Sequence, residues 1–291
     1  MIMLPKKQKY SKVWYLVAIL LAMNLAVWSA VYAQGTGEYA RLIVFDVGQG
    51  DAIYLRSAEG NDLLIDGGPG DAVLSKLGEV MPFGDRKIEL VILTHPHADH
   101  VSGLVEVAKR YRVDAVMLPD VDYESATYQK FLDLVKEKQI PVLRPALGER
   151  LALDAATVLD ILYPVVGRFA KAPQDINDAS IVARLSFGKS QALLTGDAGK
   201  TIEQFLLQSH LPIDAEILKV GHHGSHHSSE AQFLRAVSPD YGVISVGKNS
   251  YGHPHPEVLD ALQTENVNIL RTDQRGDVEF HIYPDHVELL Q

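Results

Sequence analysis

The 291-residue chain contains no cysteine, which excludes disulfide bridges and thiolate metal ligands at once. Any metal must then be held by histidine, aspartate, glutamate or carbonyl groups, and the redox state of the compartment leaves no trace in the sequence. Charge is missing from one long stretch, Val13 to Ala33. Histidine is missing between His100 and Asp197, so that interval offers no imidazole to a metal. Short-period repeats and low-complexity tracts are absent too, and the body of the chain reads as one domain.

At 47% hydrophobic residues the chain can bury a full core. Lys6, Lys7, Lys9 and Lys12 precede the uncharged stretch, which is long enough for one membrane-spanning helix with the lysines on the cytoplasmic side. The alternative is a signal peptide cleaved after Val31-Tyr32-Ala33. The expected organisation is an anchor or signal over 1–33, a polar, glycine-bearing linker over 34–40, and one large domain over 41–291 lying outside the cytoplasmic membrane. Without the four N-terminal lysines, 23 basic residues face 37 acidic ones, a formal charge of −14. Such a surface does not attract nucleic acid through a general field, which counts against a nuclease.

Periodicity predicts strands at Arg41–Val47, Ala52–Arg56, Asp62–Ile65, Leu90–Leu93 and Val113–Leu118, with helices at Ala72–Met81, Val101–Tyr111 and Tyr123–Lys138. Val142–Pro164 reads as short strands and Gly167–Asp178 as a loop. Strands follow at Ser180–Phe187, Gln191–Leu194, Ala215–Val220, Tyr241–Val246 and Asn268–Arg271, among helices at Lys200–Gln208, Glu230–Val237 and Pro256–Gln263. Gly276–Leu290 reads as a closing hairpin that turns at Pro284-Asp285. Two halves, each running from strands into strand–helix units, fit a four-layer αββα sandwich.

The chemistry concentrates in Thr94-His95-Pro96-His97-Ala98-Asp99-His100, directly after the apolar run Leu90–Leu93. Neutral imidazole and carboxylate are the ligands of borderline divalent metals. The cluster splits into His95 with His97 and Asp99 with His100, one pair for each of two ions.

This stretch resembles the signature of the metallo-β-lactamase superfamily. Asp46-Val47-Gly48-Gln49-Gly50-Asp51, Leu64-Ile65-Asp66-Gly67-Gly68, Leu194-Thr195-Gly196-Asp197, Lys219-Val220-Gly221-His222-His223-Gly224-Ser225 and Tyr251-Gly252-His253-Pro254-His255-Pro256 resemble, in order, the motifs of the extracytoplasmic hydrolase domain of ComEC-like competence proteins. The resemblance implies a hydrolase with two divalent ions, Zn2+ or Mn2+, shared by Asp197. Asp197 at a strand end also fits a turn or a helix N-cap. One of His222 and His223 completes the second ion's shell. We assign His222 as the ligand and His223 to the cleft, and the two can exchange roles. By the same resemblance Asp66 sits behind the metals and orients a ligand. Asp46 and Asp51 either support the site similarly or close a tight glycine turn.

His253 is expected at the mouth of the site, and Lys219 beside phosphate if its side chain enters the cleft. His226 and His227 are expected in solvent. In place of a third imidazole for the first ion stands Asn177-Asp178-Ala179-Ser180, with Asn177 and Ser180 as oxygen-bearing supports and water, Asp178 or Ser180 filling that ion's shell. A more oxygen-rich shell admits manganese beside zinc and loosens that ion. The resemblance points to a phosphodiester substrate, DNA at the cell surface, and to a separate channel protein, since one helix cannot form a pore. Other readings are a phosphorylcholine or envelope-polymer hydrolase, a β-lactam hydrolase, or a non-catalytic tethered binding module.

Overall fold

The computed structural model describes residues 11–33, 37–165 and 173–290. Helix α1 (Ser11–Ala33) belongs to a unit ending at Gly37, separate from the compact body Glu38–Gln291. Among the described residues no helix is long and apolar enough to cross a membrane. The described side chains of α1 run only from Lys12 to Val27. Lys6, Lys7 and Lys9 and the linker residues 34–36 lie outside the described residues.

The strands of the body, in chain order, begin with β1 (Ala40–Val44), β2 (Ile53–Arg56), β3 (Asp62–Ile65), β4 (Lys87–Ile92), β5 (Arg112–Met117) and β6 (Val142–Leu143). They continue as β7 (Arg150–Ala152), β8 (Thr157–Tyr163), β9 (Val182–Phe187), β10 (Ser190–Leu194) and β11 (Ile217–Lys219). The last are β12 (Tyr241–Ile244), β13 (Asn268–Arg271), β14 (Val278–Ile282) and β15 (Val287–Leu289). One sheet runs β15-β14-β1-β2-β3-β4-β5-β6 and the other β13-β12-β11-β10-β9-β8-β7. The C-terminal hairpin β14–β15 pairs antiparallel with β1 and so completes the first sheet.

Strand alternation divides the apolar side chains among three clusters. Leu42, Ile53, Leu90, Ala192, Ile217 and Val243 meet between the sheets. Ile43, Tyr54 and Val91 turn the other way, onto α2 (Ala72–Val80), α3 (Ala98–Arg110) and α4 (Ala126–Glu137). Leu193, Leu218 and Ile244 do the same on the opposite flank, against α5 (Lys200–Gln208), α6 (Ala231–Val237) and α7 (Pro256–Thr264). The result is the αββα sandwich. A further helical turn, α8 (Thr272–Arg275), was not signalled by periodicity.

Parallel pairing brings strand ends to a common edge. β3, β4 and β5 run parallel, and so do β10, β11, β12 and β13. Loops leaving the carboxyl ends of parallel strands form the usual crevice of such sheets. Two glycine contacts close that edge. A Cβ on Gly103 of α3 would collide with the Gly67 carbonyl, so the helix seats directly on the Asp66-Gly67 turn. A Cβ on Gly247, after β12, would lie 2.5 Å from the Gly48 carbonyl carbon, so the turns of the two sheets interlock.

α3 begins earlier than periodicity suggests, at Ala98. β4 ends at Ile92, His97 takes the N-cap with extended backbone, and its carbonyl accepts from the His100 and Val101 amides. Asp99 and His100 therefore stand on the first helical turn rather than in a loop. Of the predicted 167–178 loop, residues 167–172 lie outside the described residues, and Ile176–Ala179 forms a short 3-10 turn.

Candidate metal centre

Asp197 is the hub. Its Oδ2 lies 3.7 Å from His95 Nε2, 3.4 Å from His100 Nε2 and 3.5 Å from His223 Nε2. The turn after β10 that delivers it is fixed by the Thr195 hydroxyl, which donates to the Lys219 carbonyl at 2.6 Å. The Asp197 amide donates to Ser180 Oγ at 3.1 Å. Ligand atoms gather into two sets, His95, His97 and Asp197, and Asp99, His100 and His223, with Asp51, His100 and Asp197 as an overlapping third.

The polar atoms of these sets suit a cation. His100 Nε2, His223 Nε2 and Asp197 Oδ1 are buried without a hydrogen-bond partner. Leaving such an atom unsatisfied costs about 1–3 kcal/mol, so convergence of several on one point is expensive unless something positive sits there. His95 Nε2 faces His97 Nδ1 at 3.0 Å, two ring nitrogens turned toward each other. The donor set is imidazole and carboxylate throughout, which fits a divalent ion.

Supports behind the set fix the tautomers. Asp66 accepts from the Thr94 amide at 2.8 Å and the Thr94 hydroxyl at 2.6 Å, and its Oδ2 takes His100 Nδ1–H at 2.8 Å. That turns His100 Nε2 toward Asp197. His223 Nδ1 donates to the Ser245 carbonyl at 2.8 Å, which likewise frees Nε2. Thr94 Oγ1 also stands 3.1 Å from His95 Nδ1. Burial works to raise the Asp197 carboxyl, but His223 and His100 hold it well below the usual range, so it stays ionised. Burial would depress His100, yet Asp197 and Asp66 push it well above its ordinary value. Burial, then the neighbouring His100, keeps His95 low and neutral.

The structure exchanges the two adjacent histidines. His223 joins Asp99 Oδ2 at 3.5 Å and the Asp197 hub, while His222, expected as the ligand, lines the cleft. Both adopt left-handed backbone, φ 48° and 52°, so strand alternation does not govern where they point. The His222 ring lies 5.5 Å from that of His253, which also lines the cleft. Burial, then His222, pushes His253 down to about 4.

Lys219 requires a second correction. It is 1% exposed and pairs with Asp51 at 2.7 Å, so its ammonium does not enter the cleft. On β11 it alternates with Leu218, which packs on the helical flank, and so falls on the inter-sheet side with Ile217. Asp51, expected as a support, stands with its Oδ1 3.4 Å from His223 Nδ1. Burial would raise Asp51, but Lys219 and then His223 hold it below the usual carboxylate range.

Asp46 closes a turn, accepting from the Gly48 amide at 3.2 Å, and belongs to none of the ligand sets. Ser180 is buried and engaged with the Asp197 amide, which makes it a positioner of the hub rather than an open ligand. Asn177 is buried in the 3-10 turn with Oδ1 unpartnered. His226 and His227 are exposed.

The cleft over the centre has a volume of about 340 Å³. Gln49, Tyr123 and Tyr251 line it beside the histidines, and sequence reasoning passed over all three. Gln49 and Tyr251 lie inside quoted motifs, which was a usable signal. Tyr123, ahead of α4, had none.

The chain belongs to the metallo-beta-lactamase superfamily, whose family profile matches residues 45–248. It is 30% identical over 255 residues to ComE operon protein 3 of Bacillus subtilis (strain 168), covering 81% of this chain and 32% of that protein. To competence protein ComA of Neisseria gonorrhoeae it is 27% identical over 269 residues, covering 89% of this chain and 36% of the relative. The chain thus spans about a third of the length of these curated relatives. The structure of Igni18, a metallo hydrolase from Ignicoccus hospitalis, superposes with a TM-score of 0.52 at 12% identity, covering 86% of this chain and 99% of Igni18, a likeness of fold.

Proposed function

We propose that this chain is a phosphodiester hydrolase with two divalent ions, Zn2+ or Mn2+, acting on DNA outside the cytoplasmic membrane. The observation that carries the reading is the convergence of unpartnered buried nitrogens and a carboxylate oxygen on Asp197. Relatives named for competence direct the substrate toward DNA. The lysines ahead of an uncharged run support an extracytoplasmic domain, and a separate protein would supply the DNA channel.

His95, His97 and Asp197 would hold one ion, and Asp99, His100 and His223 the other, with Asp197 between them. Divalent ions in such a site supply Lewis acidity toward phosphoryl oxygens and activate water as a nucleophile. The chain's own contribution is positioning. Asp66 and the Ser245 carbonyl hold the imidazoles in the tautomers that aim Nε2 inward. His253, kept neutral at pH 7, can donate one ring N–H to the departing oxygen as a hydrogen bond without adding a charge. His222 stands beside it for the same task.

A second reading rests on the cleft walls. Among the described residues no lysine or arginine lines the cleft or the hollow of about 480 Å³ beside it. A smaller phosphoester, such as phosphorylcholine or an envelope polymer, tolerates that better than a long polyanion. The test is activity of the full chain on single- and double-stranded DNA and on small phosphodiesters, with manganese, zinc and magnesium in turn. Metal-dependent cleavage of DNA that disappears in Asp197→Ala is the expected result. Cleavage of small esters alone selects the second reading, and no cleavage with any metal overturns both.

A further inference from the structure

We propose that Tyr123 and Tyr251 are stacking platforms that bind the bases of single-stranded nucleic acid on either flank of the histidine cluster. The proposal rests on the phosphodiesterase reading and names the form of substrate that this site takes. Its starting point is that, among the described residues, no lysine or arginine lines either hollow. Recognition by a phosphate-tracking groove needs lysines or arginines to neutralise successive phosphates, and the described walls offer none. What the walls do offer is aromatic surface.

Tyr251 is 73% exposed and Tyr123 37% exposed, yet both line the cleft that contains Asp197 and His223. Tyr123 stands beside the first ligand set, its ring 5.9 Å from that of His97. It also lines the neighbouring hollow with Gln174 and Ile176. Tyr251 stands beside His253, ring to ring 5.8 Å. Two exposed rings at separate places on one polar rim are apolar surface left in water at the position a substrate chain must cross.

The Tyr251 loop is also built to hold still. Asn249 Oδ1 accepts from the Tyr251 amide at 3.1 Å and the His253 amide at 3.1 Å. Its Nδ2 donates to the His253 carbonyl at 2.8 Å and the Gly247 carbonyl at 2.9 Å. One amide side chain thus fixes the ring and the cleft histidine together, so a base seated on Tyr251 leaves its phosphate near His253. In a duplex the base faces are occupied by neighbouring bases, so such platforms serve single strands alone. Stacking tolerates any base, which predicts little sequence preference.

The test uses the metal-loaded full chain and phosphorothioate-linked strands, which resist cleavage. Affinity is measured by fluorescence anisotropy for an oligothymidylate, an abasic strand of equal length and a duplex. Wild type should prefer the oligothymidylate over both others. Tyr123→Ala and Tyr251→Ala should each reduce the preference for the base-bearing over the abasic strand by about 5- to 150-fold, the range of one stacked base. Tyr123→Phe and Tyr251→Phe should keep it, because the ring face is retained. On cleavable strands the Ala variants should raise KM more than they lower kcat.

Equal wild-type affinity for base-bearing and abasic strands would overturn the proposal, as would Ala variants that keep the preference. Failure of wild type to cleave any phosphodiester would instead overturn the hydrolase reading. The anisotropy comparison decides the platforms separately.

Discussion

The two ligand sets around Asp197 are built to different standards. In the set of Asp99, His100 and His223, each imidazole is tied from behind: His100 by Asp66, and His223 by the Ser245 carbonyl with the Asp51–Lys219 pair beside it. In the set of His95 and His97, the support among the described residues is the Thr94 hydroxyl, 3.1 Å from His95 Nδ1. His97 is half-buried, and its nearest polar partner is His95 itself. Partners that fix a ligand's orientation typically change metal affinity 10- to 100-fold. One half of the centre is preorganised and the other is assembled by whatever it binds. That asymmetry agrees with the histidine-free interval before Asp197.

Asp197→Ala breaks the comparison outright, because both sets share that carboxylate. Activity should fall by about 10³-fold or more, beyond the cost of losing one preorganised charge stabiliser. Metal analysis should find well under two equivalents. Two ions retained with ordinary affinity would show that Asp197 is not the hub.

The braced side is probed next through Lys219→Met. Removing one partner of a buried ion pair leaves Asp51 charged and uncompensated, a loss of about 3–5 kcal/mol, to be read from urea unfolding of the full chain. Asp51 lies below its ordinary value of 3.8 in the folded state. Its contribution is therefore fully present above that pH and is lost as the solution is acidified through the folded value. The stability difference between wild type and variant should be flat near neutrality and shrink in acid. A variant as stable as wild type at pH 7 would place the pair in solvent.

Asp66→Asn is gentler. Asparagine tolerates the left-handed φ of 58° at this position, so the turn survives. The amide cannot hold the His100 Nδ1–H and accept both Thr94 bonds with the strength of a carboxylate. Affinity at the Asp99–His100–His223 set should fall 10- to 100-fold. The His95–His97 set should fall less, through Thr94 alone. Equal losses at both would erase the distinction between them.

Much of this was legible before the structure. The Thr94–His100 cluster after β4 follows from a strand end and ligand chemistry, while Asp197 as the shared carboxylate and Asp66 behind it came from the resemblance of their motifs. The αββα order follows from the run of strands and helices. What stayed hidden depends on backbone handedness or on contacts between sheets. His222 and His223 could not be told apart because both take positive φ, which no strand pattern reveals. Lys219 read as a phosphate binder because its partner, Asp51, lies far away in sequence and on the other sheet's turn. Ser180 read as an ion ligand because its bond to the Asp197 amide joins a loop to a distant strand end. Exposed rings such as Tyr123 carry no sequence signature at all.

The unaided set makes a measurable claim even without substitution. Titrating the apoprotein with manganese or zinc should give two affinities separated by about 10- to 100-fold, with activity following the weaker. His97→Ala should remove the weaker step alone, and two equal affinities would mean that an unrecognised ligand completes the first set.

Ser180→Ala is the smallest and sharpest of these changes. It deletes one hydrogen bond, from the Asp197 amide to Ser180 Oγ, and leaves every ligand atom in place. A net hydrogen bond is worth about 1 kcal/mol, so the expected loss is roughly fivefold. The loss should appear in the weaker affinity, because His95 and His97 depend on Asp197 for their only carboxylate. Asp99, His100 and His223 keep Asp99 and their supports, and the tighter step should shift less than twofold. A larger loss at the tighter step would mean that Asp197 belongs chiefly to His100 and His223. The first ion would then be held by the two imidazoles with little help from the hub.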